Sequence, residues 1–294
     1  MKAQIPIEKF MAENPDYLVI SQSQIENWDR CQRYWHYVSM HRLATEITWP
    51  MKFSGMMLHP ALSRWYKTSG KEVIDSLEWQ DCWIKYTQLV QAIPCPRGKQ
   101  AIYSREHADR IVTQYTDMFN RDFEMYRFVA SEEKRYKVLP NLKAVYLSIP
   151  DLVLERIGDD KVVVNDFKHS TWDANIGLAP FDRQLLGQAF VCDAQFLMKT
   201  HMLSKVTAAR GGSVATCEIT RPFDPVELDQ MKEWIDEVCQ TAEEILHAKE
   251  KNVFVKQAPK GCFAFNKECQ FKELCGLGAA RSYMIDSMPK RERD

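Results

Sequence analysis

The feature that most constrains the fold of this chain is a pair of β-branched, apolar segments, residues 145–154 and 162–168. Short runs of this composition, separated by turn residues, are typical of β-strands. Gly158 lies in the short connection between them, so we expect the two segments to pair as neighbouring strands. Pro150 lies inside the first segment, although proline cannot donate the hydrogen bond that a central strand needs. Such local conflicts cluster at functional sites, so this segment marks a candidate site.

Each of the two segments carries an acidic residue that suits metal chemistry. Asp151 directly follows Pro150, and one residue separates Asp166 from Lys168. Strand alternation places Asp166 and Lys168 on one face, and strand pairing brings Asp151 close enough to share a divalent cation. Mg²⁺ and Mn²⁺ prefer oxygen ligands, polarise phosphate and activate water, while a lysine orients the water or stabilises developing charge. The residues predict phosphodiester hydrolysis; the alternative is two strand-terminal acids beside a solvated lysine.

The composition is that of an ordinary globular chain. Its 294 residues are 45% hydrophobic and 27% charged. No window approaches the ~20 apolar residues that span a bilayer, and the first residues lack the apolar run of a secretory signal. We therefore predict a cytoplasmic protein with no membrane partner. The net charge of -1 gives no global attraction to nucleic acid, but an active-site groove needs only local positive charge.

The periodicity of the sequence predicts helices first, then strands, and then an alternation of the two. This order indicates an α/β fold in which a mixed central β-sheet is flanked by helices. The predicted helices cover residues 21–42, 58–67, 76–93, 104–128, 183–203 and 224–249. The predicted strands cover residues 134–139, 144–156, 161–166 and 213–219.

The segment from Pro150 to Lys168 resembles the signature of the PD-(D/E)XK nuclease superfamily, with Asp166 as the acid of its acid-x-lysine element. More narrowly, the chain resembles the RecB-like branch, which includes AddB-type and CRISPR-associated exonucleases and many phage-encoded relatives. The resemblance covers about residues 18 to 276. It implies a restriction-endonuclease-like core with a helical N-terminal region and a cysteine-containing C-terminal tail.

Further positions match the motifs of this branch one at a time. Gly55 precedes His59 as in the family's helix motif, so the resemblance implies that His59 is a metal ligand. Gln184 matches the glutamine-led motif on a later helix, and Gln188 stands where the family usually has an aromatic residue. The implied roles are catalytic for Asp151, Asp166, Lys168 and Gln184, metal-binding for His59, Asp151 and Asp166, and DNA-binding for Arg33, Tyr34, Arg183 and Gln188.

The nine cysteines are an odd number in a chain predicted to be cytoplasmic, which disfavours a disulfide framework. Five of them lie in periodic segments and are predicted to be small buried residues: Cys82, Cys95, Cys192, Cys217 and Cys239. The other four resemble the ligands of the [4Fe–4S] cluster in the RecB-like branch: Cys31, Cys262, Cys269 and Cys275. Zinc bound by the same thiolates and unligated buried cysteines are the alternatives.

The resemblance implies three segments with distinct roles. Residues 1–130 form a helical region that supplies one cluster cysteine and the motif histidine, residues 131–250 form the nuclease core, and residues 251–294 form the iron–sulfur tail. The implied function is a Mg²⁺- or Mn²⁺-dependent exonuclease that acts on single-stranded or duplex DNA ends in recombination, repair or replication. The implied partner is a helicase or recombination protein, and the location is the host cytoplasm if the chain is phage-encoded. The alternative is a catalytically weak protein of the same fold that binds DNA ends.

Overall fold

A computed structural model of the chain divides into two compact units. The first unit comprises Met1–Ile7, Ile47–Arg135 and Ser148–Met231, and the second comprises Glu8–Glu46, Tyr136–Leu147 and Lys232–Asp294. The three segments expected from the sequence stay a prediction. The structure describes residues 4–45, 52–71, 73–74, 76–91, 93–95, 97–171, 182–209, 212–256, 262–264, 267–277 and 281–291.

The described helices are numbered here in chain order. They are α1 Ile7–Glu13, α2 Gln22–Arg30, α3 Gln32–Trp35, α4 His59–Lys67, α5 Leu77–Val90, α6 Arg105–Met118, α7 Asp122–Met125, α8 Arg183–Cys192, α9 Leu228–Lys251, α10 Lys272–Gly276 and α11 Arg281–Ser287. Two π-helical turns, His36–Met40 and Ser54–Leu58, follow α3 and precede α4. In the part of the chain that the structure describes, no helix is long and apolar enough to cross a membrane.

The described strands are numbered in the same way. They are β1 Leu18–Ile20, β2 Tyr126–Ala130, β3 Arg135–Val138, β4 Ala144–Ser148, β5 Leu152–Arg156, β6 Val162–Ser170, β7 Phe196–Ala209, β8 Gly212–Thr220, β9 Phe223–Pro225, β10 Phe263–Ala264 and β11 Lys267–Glu268.

A mixed six-stranded sheet forms the centre of the first unit. Its strands run in the order β2-β5-β6-β7-β8, and β9 pairs with β7 beside β8. The pairs β2–β5, β5–β6 and β7–β8 are antiparallel, whereas β6 and β7 are parallel. A parallel pair needs a crossover connection, and α8 lies in that connection and packs on both strands.

Helices cover the two faces of β6, as strand alternation requires. Val163 and Phe167 on one face are buried in a core that also contains residues of α4, α5 and α6, including Trp65, Trp79 and Tyr115. Asp166, from the opposite face of β6, contacts α8. Strand β6 therefore buries apolar side chains on one face and directs Asp166 and Lys168 on the other face toward α8.

The second unit contains a smaller sheet and the cysteine-containing tail. β4 lies between β1 and β3, and it runs parallel to β1. The short antiparallel pair β10–β11 lies in the tail. A separate buried cluster in this unit contains Tyr34, Tyr37 and Phe271 together with Cys31 and Cys269.

Two of the predicted helices end earlier than the periodicity suggested. The prediction of a helix over residues 183–203 was wrong in its second half, since α8 ends at Cys192 and Asp193 adopts a left-handed backbone with φ 52°. The chain then enters β7, whose pairing with β6 and β8 outweighs the local helical spacing. Similarly, the helix predicted over residues 104–128 ends at Met118, and its last residues belong to β2.

The single strand predicted over residues 144–156 is two strands. The chain leaves β4 after Ser148 and enters β5 at Leu152, with Pro150 in the break. Proline has no N–H to donate to a neighbouring strand, which explains why the interruption occurs there. Asp151 is consequently the residue immediately before β5.

Candidate active site

The site forms where the pairing of β5 with β6 ends. The last pair in the register is Leu152 with Asn165, and Phe167 lies two residues further along β6. Side chains satisfy the Phe167 peptide: its N–H donates to Asp151 Oδ2 over 2.7 Å, and its carbonyl lies 2.9 Å from His59 Nε2. Because buried peptide groups must be hydrogen-bonded, one residue of β6 fixes two functional side chains.

Three side chains at this point form a group that could hold a metal ion. His59 Nδ1 lies 3.4 Å from Asp151 Oδ1 and 3.7 Å from Glu132 Oε1, and the three donor atoms all lie within 4.8 Å of one another. Because a carbonyl only accepts, His59 Nε2 carries the hydrogen toward Phe167, which leaves Nδ1 as the coordinating atom. One imidazole nitrogen and two carboxylates are donors that suit Mn²⁺ or Mg²⁺.

Glu132 is the site residue that the sequence interpretation missed. It follows β2 with a left-handed backbone, φ 55°, and its N–H donates to the Pro150 carbonyl over 2.9 Å. A glutamate in this conformation is strained, and such strain is frequent at functional positions. The sequence signal for Glu132 was weak, because it consisted only of an acid shortly after a strand. That strand, β2, was itself predicted in part as the end of the helix over residues 104–128.

The electrostatics of His59 reflect this acidic environment. Burial alone would lower the pKa of His59, but its contacts with the Asp151 and Glu132 carboxylates outweigh burial and raise that pKa to about 10. The imidazole is therefore protonated at neutral pH in the metal-free protein. A cation would replace that proton between the two carboxylates.

Asp166 and Lys168 form a second group on the face of β6 that α8 covers. Asp166 is fully buried, with Oδ1 accepting from Gln188 Nε2 over 3.1 Å and Oδ2 lying 3.0 Å from Lys168 Nζ. Lys168 Nζ also donates to Gln184 Oε1 over 2.8 Å. The structure thus directs Asp166 toward Lys168 and α8, while Asp151 faces His59.

Burial and charge shift the pKa values of this pair in the same direction. Burial raises the pKa of Asp166 to about 6, against the opposing effect of the Lys168 ammonium. Burial acts to lower the pKa of Lys168, but the carboxylates of Asp166 and Asp151 outweigh it, so the net shift is upward. Lys168 is therefore a cation at neutral pH, suited to binding a phosphate oxygen.

The N-terminus of α8 is fixed by its own capping residue. Asp182 Oδ1 accepts from the N–H groups of Gln184 and Leu185 over 3.0 and 3.2 Å, and Asp182 Oδ2 lies 2.7 Å from Lys199 Nζ on β7. The cap sets the rotation of α8, which in turn directs Gln184 and Gln188 at β6.

The remaining predicted DNA-binding residues lie in different environments. Arg183 is exposed at the first position of α8, in the first unit. Arg33 and Tyr34 belong to α3, in the second unit, and the buried Tyr34 ring packs on Phe271 with the Arg30 guanidinium 4.2 Å above it. This placement favours a packing role for Tyr34, and the DNA-binding roles stay predictions.

The four predicted cluster cysteines all belong to the second unit. Cys31 and Cys269 are buried in the same apolar cluster, against which Cys275 packs. The Cys269 N–H donates to the Cys262 carbonyl over 2.8 Å, and the Cys275 thiol lies 3.7 Å from the Tyr37 hydroxyl. Burial raises the pKa of Cys269, and the neighbouring Cys275 and Cys262 act in the same direction. The fold therefore gathers residues that are far apart in the sequence.

Comparison with known proteins defines the class. A family model for the PD-(D/E)XK nuclease superfamily matches residues 19–276. The chain therefore belongs to this superfamily, whose members are hydrolytic nucleases that use divalent metal ions. The predicted fold class, a mixed central sheet flanked by helices, is confirmed.

Solved structures show weaker similarity. A "Putative exonuclease" from Eubacterium rectale is 11% identical with a TM-score of 0.48, over 100% of this chain and 97% of that one. An alkaline exonuclease from Laribacter hongkongensis is 11% identical with a TM-score of 0.29, over 60% of this chain and 87% of that one. Among curated proteins no sequence gives a significant match. We therefore take the family from the match to its model alone.

The first prediction concerns Glu132. Replacing Glu132 by Gln removes one of three candidate ligands, so we expect Mn²⁺ affinity in calorimetric titration to fall at least ~10-fold. The matched control is Glu133→Gln, because Glu133 is adjacent, exposed and paired with Arg135 at 3.3 Å rather than with His59. Equal weakening by both substitutions would contradict the assignment of Glu132.

The second prediction concerns the proton on His59. Because its pKa of about 10 lies above the unfolded value of ~6.5, its contacts stabilise the metal-free protein fully below pH ~6.5 and are lost as the pH rises through 10. Coordination through Nδ1 requires deprotonation, so Mn²⁺ binding at pH 7 should release about one proton. Titrations in buffers of different ionisation enthalpy measure this release. A heat that does not vary with the buffer would contradict it.

Proposed function

We propose that the protein is a divalent-metal-dependent exonuclease that hydrolyses DNA from an end. The observation that carries the proposal is the position of the His59–Glu132–Asp151 group on one side of Phe167 and the Lys168 ammonium on the next residue of β6. Two anions and an imidazole attract a cation, and a neighbouring ammonium attracts the phosphate that the cation would polarise.

The residues of the chain have separable roles in this proposal. His59, Glu132 and Asp151 would hold the cation, which supplies Lewis-acid activation of the phosphate and of a water molecule. Lys168 binds a phosphate oxygen or orients the attacking water, and it is held in place by Asp166 and Gln184. Asp166 remains a candidate ligand through its buried Oδ2, which lies 3.0 Å from Lys168 Nζ.

The DNA substrate and its cellular setting belong to the proposal as well. Membership in a nuclease superfamily supports a polynucleotide substrate, and DNA is the form that the family resemblance implies. Arg33, Tyr34 and Arg183 are the proposed DNA contacts. Gln188 would act through Asp166, which it touches, rather than by touching DNA. We place the activity in recombination, repair or replication in the cytoplasm, beside a helicase or recombination protein.

The third prediction tests catalysis directly. With Mg²⁺ or Mn²⁺ and end-labelled single-stranded or duplex DNA, the parent protein should shorten the labelled strand. Asp151→Asn and Lys168→Ala should each reduce the rate at least ~100-fold, because the first removes a candidate metal ligand and the second removes the ammonium that binds the phosphate. Lys161→Ala is the matched control, since Lys161 is an exposed lysine beside Asp159, just before β6.

The other outcomes of that assay are equally informative. DNA-end binding by the parent without cleavage would replace the nuclease with a DNA-end-binding or assembly protein of the same fold. Equal rates for Lys168→Ala and Lys161→Ala would remove Lys168 from the mechanism.

We further propose that Cys31, Cys262, Cys269 and Cys275 hold a [4Fe–4S] cluster with a structural role. The resemblance supports this proposal, as does the placement of all four cysteines in one unit, where Cys31 and Cys269 are buried in one apolar cluster and Cys275 packs against it. A cluster there would cross-link the chain near Cys31 to its tail. Zinc is the competing occupant, since four thiolates also suit that ion.

The fourth prediction is the composition of the purified protein. Anaerobic purification should yield brown protein with about four irons per chain. Cys275→Ser should lose the colour and the iron, whereas Cys239→Ser on α9 should keep both. Colourless protein with stoichiometric zinc would contradict the cluster.

A further inference from the structure

A cavity lies directly beside the candidate metal group. It has a volume of about 320 Å³ and is lined by residues of α4, α5 and the segment between them, together with Glu132. Glu132 therefore belongs both to the metal group and to the cavity wall. Cavities of this size are typical of small-ligand sites.

Helix α4 leads from the metal group along this cavity. His59 begins the helix at the metal group, and Ser63, one turn later, hydrogen-bonds to Ser131, the neighbour of Glu132. Arg64 and Lys67 follow on the same side and line the cavity. An α-helix rises ~1.5 Å per residue, so these cations lie roughly one and two turns from the metal group. The helix thus offers two neighbouring positive charges at a short distance from the candidate metal group.

The inner wall of the cavity is apolar. Ala61, Val73, Trp79 and Cys82 line it, and the first three of these are almost fully buried. The indole of Trp79 is held by its Nε1–H, which donates to Asp109 Oδ1 over 2.8 Å. The edge of the indole that reaches the cavity is therefore fixed in position and, together with Cys82, can contact an apolar group.

The Arg64 guanidinium at the cavity can exchange its present ion-pair partner for a phosphate. Arg64 pairs with Glu78 over 2.6 Å, but the two side chains are 32% and 62% exposed. Exposed ion pairs contribute little to stability, so an incoming phosphate can replace Glu78 as the partner of Arg64. Lys67 is exposed on the same helix.

We propose that this cavity binds the nucleotide next to the phosphate that is cleaved. Its base packs on the apolar wall near Trp79 and Cys82, and its other phosphate contacts Arg64 and Lys67. The nucleotide enters unpaired, because a base that reaches the inner wall of the cavity has left its partner strand. This inference rests on the proposed nuclease function. It explains why that nuclease would cleave at strand ends, where a nucleotide is most easily unpaired.

The experiment measures binding of thymidine 5′-monophosphate by calorimetry in Ca²⁺, which does not require turnover. The parent should bind it, and Cys82→Trp, which fills the cavity, should weaken binding at least ~10-fold. Gln88→Trp is the matched control, because Gln88 is exposed on α5 and does not line the cavity. Lys67→Gln, a surface change with little risk to folding, should weaken binding of the monophosphate but not of thymidine.

No binding by the parent, or equal affinities in Cys82→Trp and Gln88→Trp, would overturn the proposal. DNA cleavage by the same preparations separates the two ideas. Cleavage without monophosphate binding removes the cavity site and leaves the nuclease. Monophosphate binding that the variants weaken, without any cleavage, keeps the site and removes the nuclease.

Discussion

The peptide of Phe167 is the element on which the rest of the site depends. Its N–H and carbonyl lie beyond the end of the β5–β6 pairing, so β5 supplies no hydrogen-bond partner for them. Asp151 and His59 take the place of the missing strand partner. Because an unpaired buried peptide group costs about as much as a lost hydrogen bond, the sheet itself enforces the positions of two candidate ligands. The metal group is thus built from the same hydrogen bonds that complete the fold.

The alternation of β6 then separates two kinds of chemistry. The Phe167 ring is buried in the apolar core, while Asp166 and Lys168 on either side contact α8. Asp151 and His59 are hydrogen-bonded to the Phe167 peptide, and Lys168 is the next residue, so the backbone of β6 links the candidate metal group to the ammonium that attracts a phosphate. Gln184 and Gln188 of α8 hold Lys168 and Asp166 by hydrogen bonds. The Asp182 side chain caps the N-terminus of that helix.

Much of this could be predicted from the sequence because it depends on local patterns. The strand alternation around Asp166 and Lys168 follows from the side-chain period. The break at Pro150 was not predicted, although the missing proline N–H explains it. Glu132 could not be predicted, because its position depends on a left-handed turn and on a hydrogen bond to Pro150, which lies far away in sequence. The second half of the predicted helix over residues 183–203 failed for a related reason, since pairing with two neighbouring strands decides the conformation of β7.

The backbone of Glu132 has a consequence for how this protein can evolve. At φ 55° a glycine or asparagine has a lower conformational energy than a glutamate, so such substitutions would relieve backbone strain. The same substitutions would remove a carboxylate from the candidate metal group. Selection for thermal stability therefore favours glycine or asparagine at position 132, whereas selection for activity favours the glutamate. A homologue that has given up catalysis while keeping the fold should drift first at this turn, and it should gain stability as it does so.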